Sequence, residues 1–261
     1  MQRLIRKLLP PAIALALGAC IWQLVCWLAR LPPYLLPPPG DVVQSILKGW
    51  PELLRSFSVT AAQASCGFAG SVVLGTLMAF SFSLSRHLRS AIYPLVVGLQ
   101  AIPVLAFAPL IIIWNGFGFT SVVLISFLLS LVPIVVATTV GLNSVKPEFL
   151  ILFELCGASR WSTLWRLRIP SALPYFFTGA RTSCGLAVIG AVVGEQFVGD
   201  QRGWLGLGQL IMAKYNVLKV ADLFAAVLTT ILLSALGWLL VSGIARWIAV
   251  AFQYRDGEAA D

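Results

Sequence analysis

Charge is what this sequence has least of. Only 11% of its 261 residues are charged, Asp and Glu together number 10, and there is a single histidine. A soluble domain carries about 25% charged residues, so a water-soluble globular protein is excluded. Acidic residues are almost missing from the apolar runs. A proton- or sodium-coupled carrier places several ionisable groups at membrane depth, and a standalone secondary carrier therefore has little to work with here. There is no GxxxxGK[ST] phosphate loop, which excludes ATP binding in the P-loop manner. There is also no HExxH, no GxSxG and no recognisable pair of carboxylates, so a membrane-embedded enzyme has no catalytic frame. The five cysteines (Cys20, Cys26, Cys66, Cys156, Cys184) include no CxxC pair, and four lie in apolar runs. They read as small buried hydrophobes rather than a disulfide framework or zinc site. His87, in "SRHLRS", reads as a solvated loop histidine rather than a ligand or proton relay.

What is present is apolar length. The chain is 59% hydrophobic with a mean hydropathy of +0.92, and a bilayer is crossed by roughly 20 apolar residues. Six spans are expected, near 10–29, 58–84, 92–114, 120–141, 175–197 and 223–250. They form one membrane domain over 1–261, with a core of roughly 56–250 preceded by the first span and an external segment in 1–55. Arg3, Arg6 and Lys7 before an apolar run, and "LGAC" at 17–20, imitate a signal peptide and a lipoprotein cleavage box. The apolar run continues past Cys20, so cleavage there would halve a helix and an uncleaved span is expected. "RLPPYLLPPPGDVV" is broken by proline, and 41–56 reads as an amphipathic segment at the membrane surface. Gly67, Gly70 and Gly75 of span two suit close helix contact in lipid. Pro94, Pro103 and Pro109 kink or break span three, and "NGFGFT" turns the chain into span four. A glycine-rich polar connection joins spans five and six.

The net charge of +8 is a matter of topology before it is one of nucleic acid. With the N-terminus inside, twelve Lys and Arg residues fall in inner segments or span ends: Arg3, Arg6, Lys7, Arg86, Arg89, Lys146, Arg160, Arg166, Arg168, Arg181, Arg246 and Arg255. Six (Arg30, Lys48, Arg55, Arg202, Lys214, Lys219) fall outside. Positive charge concentrates on the cytoplasmic side, so both termini are expected there, with the lipid bilayer as partner and no nucleic acid.

The longest inner loop then runs from Asn143 to Tyr175 and holds "ELCGASRWSTLWRLRIPSALP". Gly157 permits a turn. Trp161, Leu164 and Leu167 share a face at helical spacing, the arginines fall largely elsewhere, and Pro170 and Pro174 stop the helix. Two readings stand at this point: an interfacial helix on anionic lipid, or a docking knob for a cytoplasmic partner. Two ionisable residues lie in span five, Arg181 near its inner end and Glu195 near its outer end. A carboxylate in an apolar run is a functional candidate, and pathway or gate suits Glu195 better than catalysis. The alternative is a solvated Glu195 at the outer interface. Asp222 opens span six, where a helix N-terminus favours negative charge.

The stretch from Gly157 to Pro170 resembles the cytoplasmic signature loop of the permease subunits of bacterial binding-protein-dependent ABC importers. That signature is Glu-Ala-Ala, three residues, Gly, nine residues, then Ile-x-Leu-Pro. Gly157 is in place, and Leu167, Arg168, Ile169 and Pro170 close the pattern at the same spacing, whereas Ile151, Leu152 and Phe153 replace the opening triplet. "LPPPGDVV", "IPVLAFAPLIIIWNGFG" and "AVIGAVVGEQFVG" followed by "GLG" are similar to the branch that imports nitrate, taurine, alkanesulfonates and thiamine-precursor pyrimidines. The resemblance implies an all-α membrane fold of six helices with a cytoplasmic coupling helix. It implies docking of an ABC ATPase dimer by Gly157, Ala158, Ser159, Arg160, Trp161, Leu164, Leu167, Ile169 and Pro170. Glu195, Arg181, Pro103, Pro109 and Trp114 are the candidates for a pathway or gate. It implies a second permease subunit, expected as a homodimer, and an extracytoplasmic solute-binding protein, in the bacterial inner membrane. No cofactor is expected on this chain, since ATP and magnesium belong to the ATPase. The substrate hint is a hydroxymethylpyrimidine-type thiamine precursor or a related heterocycle such as riboflavin, with alkanesulfonate, taurine or nitrate as the alternative. An aromatic path for a flat ligand would draw on Phe107, Trp114, Phe127, Phe176 and Phe177.

Overall fold

Backbone polar groups in lipid must be satisfied within the segment, and a helix does this with no partner strand. Every element among the described residues of this computed structural model, 2–30, 32–198 and 205–258, is helical. In chain order they are α1 (Gln2–Leu28), α2 (Pro39–Lys48), α3 (Trp50–Leu84), α4 (Arg86–Gly98), α5 (Val104–Asn115), α6 (Phe119–Leu142), α7 (Pro147–Leu155), α8 (Arg160–Thr163), α9 (Ile169–Val198), α10 (Leu207–Asn216) and α11 (Val220–Glu258). Among the described residues, four helices are long and apolar enough to cross a bilayer: α3, α6, the continuous helix Arg160–Val198 and α11. The bent pair α4–α5 makes a fifth if taken as one span, and α1 contributes the shorter apolar stretch Ala16–Leu28.

The centre is α6, packed between α3 and α9. Lipid provides little hydrophobic drive between helices, so small residues and hydroxyls join them. Ser126 Oγ donates to Ala187 O at 2.8 Å and Ser183 Oγ to Ser130 O at 2.7 Å, two bonds tying α6 to α9. At Gly67 of α3, a Cβ would lie 2.5 Å from Ser126 Oγ, and at Gly190 of α9 one would lie 2.7 Å from Ser126 Cα. The small-residue reading of span two is thus met at Gly67. α11 covers the other side of α9, and α1 lies at the margin, where Trp22 meets Phe224 of α11 with ring centroids 5.5 Å apart.

Several expected boundaries move. The amphipathic segment at 41–56 is two pieces: α2 ends at Gly49, and α3 begins at Trp50 and runs unbroken to Leu84, so the second span starts well before residue 58. "SRHLRS" is not a turn. Only Ser85 leaves the helix, its side chain capping Leu88 N, and exposed His87 sits in the first turn of α4. Span three is broken as expected: α4 and α5 meet at 105°. Ile102 is extended, as a residue before proline prefers, and Pro103 caps α5. The cysteines are all free, and none is fully buried by this chain: Cys20, Cys66 and Cys156 are exposed, while Cys26 and Cys184 are half-buried.

The largest correction concerns the prolines that were expected to stop the helix after Gly157. The helix from Arg160 continues through Pro170 and Pro174 to Val198. A proline ring clashes with the carbonyl four residues back, which for Pro170 is Arg166. Residues 164–168 form a π-helical turn in which Ile169 N bonds to Leu164 O, and this wider turn makes room for the ring. The inner loop is correspondingly short, with its breaks at 143–146 and 156–159. The connection after α9 is also not simply polar. Residues 199–204 lie outside the described residues, but α10 follows them, and its first turn is buried: Leu207, Gly208, Gln209 and Leu210.

Candidate functional site

Two sites stand at opposite ends of α9. The first is the knob between α6 and α9. Pro147 occupies the first turn of α7, where its missing N–H costs nothing. The helix ends at Gly157, whose φ of +70° is the left-handed conformation glycine adopts freely. Its N–H and that of Ala158 turn back to Glu154 O and Phe153 O, both at 2.9 Å. Ser159 then caps α8 by accepting Ser162 N–H at 3.2 Å. Leu164, 2% exposed, anchors the knob among Ala79, Leu142 and Ala172. Arg168 Nη1 donates to Ser83 O at 3.1 Å, satisfying a carbonyl at the end of α3.

The rest of the knob is offered outward. No residue of α7 is buried. Phe149, Ile151, Leu152 and Leu155 are exposed, as are Trp161 and Trp165. Together they make an exposed apolar and aromatic patch on the knob. A cleft of about 540 Å³ separates the knob from the α3–α4 corner, lined among others by Ser83, Arg86, Glu154, Arg160, Leu164 and Arg168. Trp161 does not share the buried face of Leu164: it is 61% exposed against 2%. Ala158, Leu167, Ile169 and Pro170 are half-buried at the knob's base, and Arg160 is exposed.

The second site is Glu195. It is 1% exposed, not solvated at the interface. Its Oε1 accepts from Thr60 Oγ1 of α3 and its Oε2 from Gly208 N of α10, each at 2.7 Å. Thr60 Oγ1 in turn accepts Leu207 N–H at 2.8 Å. Gln209 Oε1 accepts Gly206 N–H at 3.2 Å, the back-bonding of a capping residue in the first turn. A carboxylate and a hydroxyl thus satisfy the free N–H groups of the α10 N-terminus, whose partial positive charge favours an anion. Glycine is needed here, because a Cβ on Gly206 would fall on the Glu195 carboxylate and one on Gly208 on Val192 O. Sequence reasoning singled out Glu195 but missed Thr60 and the Gly206–Gln209 turn. The G-x-x-Q spacing before "LIMA" was the available signal.

The remaining candidates do not converge on either site. Pro103 caps α5 at the bend, Pro109 lies within α5, and Trp114 near its end is 72% exposed. Arg181 lies midway along the helix from Arg160 to Val198 rather than near its inner end, because that helix starts earlier than expected. It is about 21 Å along the axis from Glu195, and its Nε is buried without a hydrogen-bond partner.

Comparison with known proteins places this geometry in context. The family described as "Binding-protein-dependent transport system inner membrane component" matches residues 71–253. The chain is 33% identical over 239 residues to a probable ABC transporter permease protein of Haemophilus influenzae, covering 90% of this chain and 96% of the relative. It is 35% identical over 233 residues to the formylaminopyrimidine transport permease protein ThiX of Halalkalibacterium halodurans, covering 88% and 90%. It is 35% identical over 247 residues to the riboflavin transport system permease protein RibX of Chloroflexus aurantiacus, covering 91% and 89%.

Proposed function

This chain belongs to the family of inner-membrane components of binding-protein-dependent transport systems, and from that premise we propose how it docks its motor and what it carries. It is the permease subunit of an ATP-driven importer, a transport component served by a separate ATPase and a solute-binding protein.

The docking surface is the knob from α7 to Pro170. What supports this is the exposure of its apolar and aromatic side chains around the left-handed turn at Gly157, held on a rigid base by Leu164 and Arg168. Two copies of the chain pair, each presenting one knob to one ATPase subunit, with both termini cytoplasmic. Co-expression with the ATPase tests this: Arg160→Glu and Gly157→Val should each lose the ATPase on purification. If both variants keep it and import normally, the docking surface lies elsewhere.

The cargo is a small nitrogen heterocycle of the formylaminopyrimidine or riboflavin type. This follows the two relatives at 35% identity whose names state their cargo. A second reading has its own observation. Arg181 Nε, mid-span and without a partner, would suit an anion such as an alkanesulfonate, taurine or nitrate. The ligand carried by the partner binding protein separates the two. A pyrimidine or flavin supports the first reading, and a sulfonate or nitrate replaces it.

A further inference from the structure

We propose that Glu195 is a positioning residue that clasps α10 to the far end of the helix the ATPase would move, making α10 the element at that end that follows the motor. The inference rests on the docking reading above and extends it to the opposite end of the molecule. α8, the π-helical turn and α9 form one continuous helix from Arg160 to Val198, about 58 Å long at 1.5 Å per residue. The knob includes its first turns, Arg160 to Pro170. Glu195 lies in its last, and is tied there to the N-terminus of α10 and to Thr60 of α3.

The chemistry of the clasp is specific. Both carboxylate oxygens accept, so the single proton of Thr60 points to Glu195 and the Thr60 oxygen remains free to accept from Leu207. Glutamine can preserve the arrangement. Its amide NH₂ would donate to Thr60 Oγ1, whose own proton would turn to Ser56 O, 3.1 Å away, while Gln Oε1 would still accept Gly208 N–H. Alanine removes both carboxylate acceptors: the buried Gly208 N–H loses its partner, and the Thr60 proton can turn only to Ser56 O while its oxygen still accepts from Leu207. The other end of α10 is held differently, by an ion pair between Lys214 and Glu52 of α3 at 2.8 Å. Losing the clasp therefore frees the N-terminal turn of α10 from α9 without casting the helix adrift.

The test uses the whole transporter in lipid: permease, ATPase and binding protein. Hydrogen exchange is read on peptides covering 205–216 and on control peptides from α6 and the middle of α9. In Glu195→Ala, exchange over 205–216 should rise about tenfold or more, with the controls unchanged. Glu195→Gln should stay close to wild type. Gly206→Ala should loosen α10 in the wild-type background and add little in Glu195→Ala, where the clashing carboxylate is gone. Glu195→Ala should still co-purify with the ATPase and keep its basal ATP hydrolysis, yet lose most of the stimulation by loaded binding protein, about fivefold or more. Glu195→Gln should restore that stimulation. Unchanged exchange at 205–216 in Glu195→Ala, or a rise shared equally by the controls, overturns the clasp. A loosened α10 with full stimulation overturns the coupling. If knob variants fail to release the ATPase, the docking reading fails alone, since the exchange result does not depend on it.

Discussion

Gly157 and Gly67 are both glycines in a membrane helix protein, yet the structure gives them different work. At Gly157 nothing lies within 4 Å of an added Cβ, so the constraint is the backbone: φ is +70°. Alanine there costs about 1–2 kcal/mol through the left-handed conformation alone, and the chain can relieve that strain by re-aiming α7, which buries no residue. Gly157→Ala is therefore expected to leave the melting temperature in detergent nearly unchanged while weakening ATPase retention. At Gly67 the backbone is ordinary and the constraint is space. A Cβ would meet Ser126 Oγ at 2.5 Å and Phe127 N at 2.8 Å, so α3 and α6 would have to part. Gly67→Ala should lower stability by about 1–3 kcal/mol, read as a lower melting temperature, without altering the knob. An unchanged melting temperature for Gly67→Ala would mean that the two helices adjust more freely than their contacts indicate.

At the scale of elements, long apolar stretches such as 120–141 were legible because hydropathy alone marks them, and α6 spans nearly those residues. The bend in the third span was legible from Pro103. The same residue type misled at Pro170 and Pro174, because a proline ends a helix only when nothing accommodates its ring and its missing N–H. At Pro170 the π-helical turn at 164–168 does the accommodating, and it has no sequence mark of its own; Pro174 simply lies within α9. α10 was hidden for a related reason: the donors of its buried first turn are backbone N–H groups, matched to Glu195 of the preceding helix and to Thr60, 147 residues away from Leu207 in sequence. If Pro170 is what holds the π-helical turn, Pro170→Ala should let it relax to an α-helix. One residue of register then rotates the α8 face by about 100°. Cross-linking from a cysteine placed at Trp161 to the ATPase should fall sharply while α9 stays folded. Retained cross-linking would show that Leu164 and Arg168 hold the turn without the proline.

At the scale of the whole molecule, the question is which way the rod points. The knob carries Arg160, Arg166 and Arg168, and the nearby corner carries Arg86 and Arg89. Moving Arg181 from the inner end to mid-span takes one charge off the inner count, leaving eleven cations inside against six outside. That balance still favours a cytoplasmic knob. Cys156 supplies a native probe, because its thiol is exposed one residue before the Gly157 turn. With the other four cysteines replaced by alanine, a membrane-impermeant maleimide should label Cys156 in inverted vesicles and not in intact spheroplasts. Bound ATPase should shield it, while a Gly157→Val background should leave it labelled even with the ATPase present. Labelling in intact spheroplasts would turn the molecule over, putting the knob outside and the Glu195 end of α9 next to the cytoplasm.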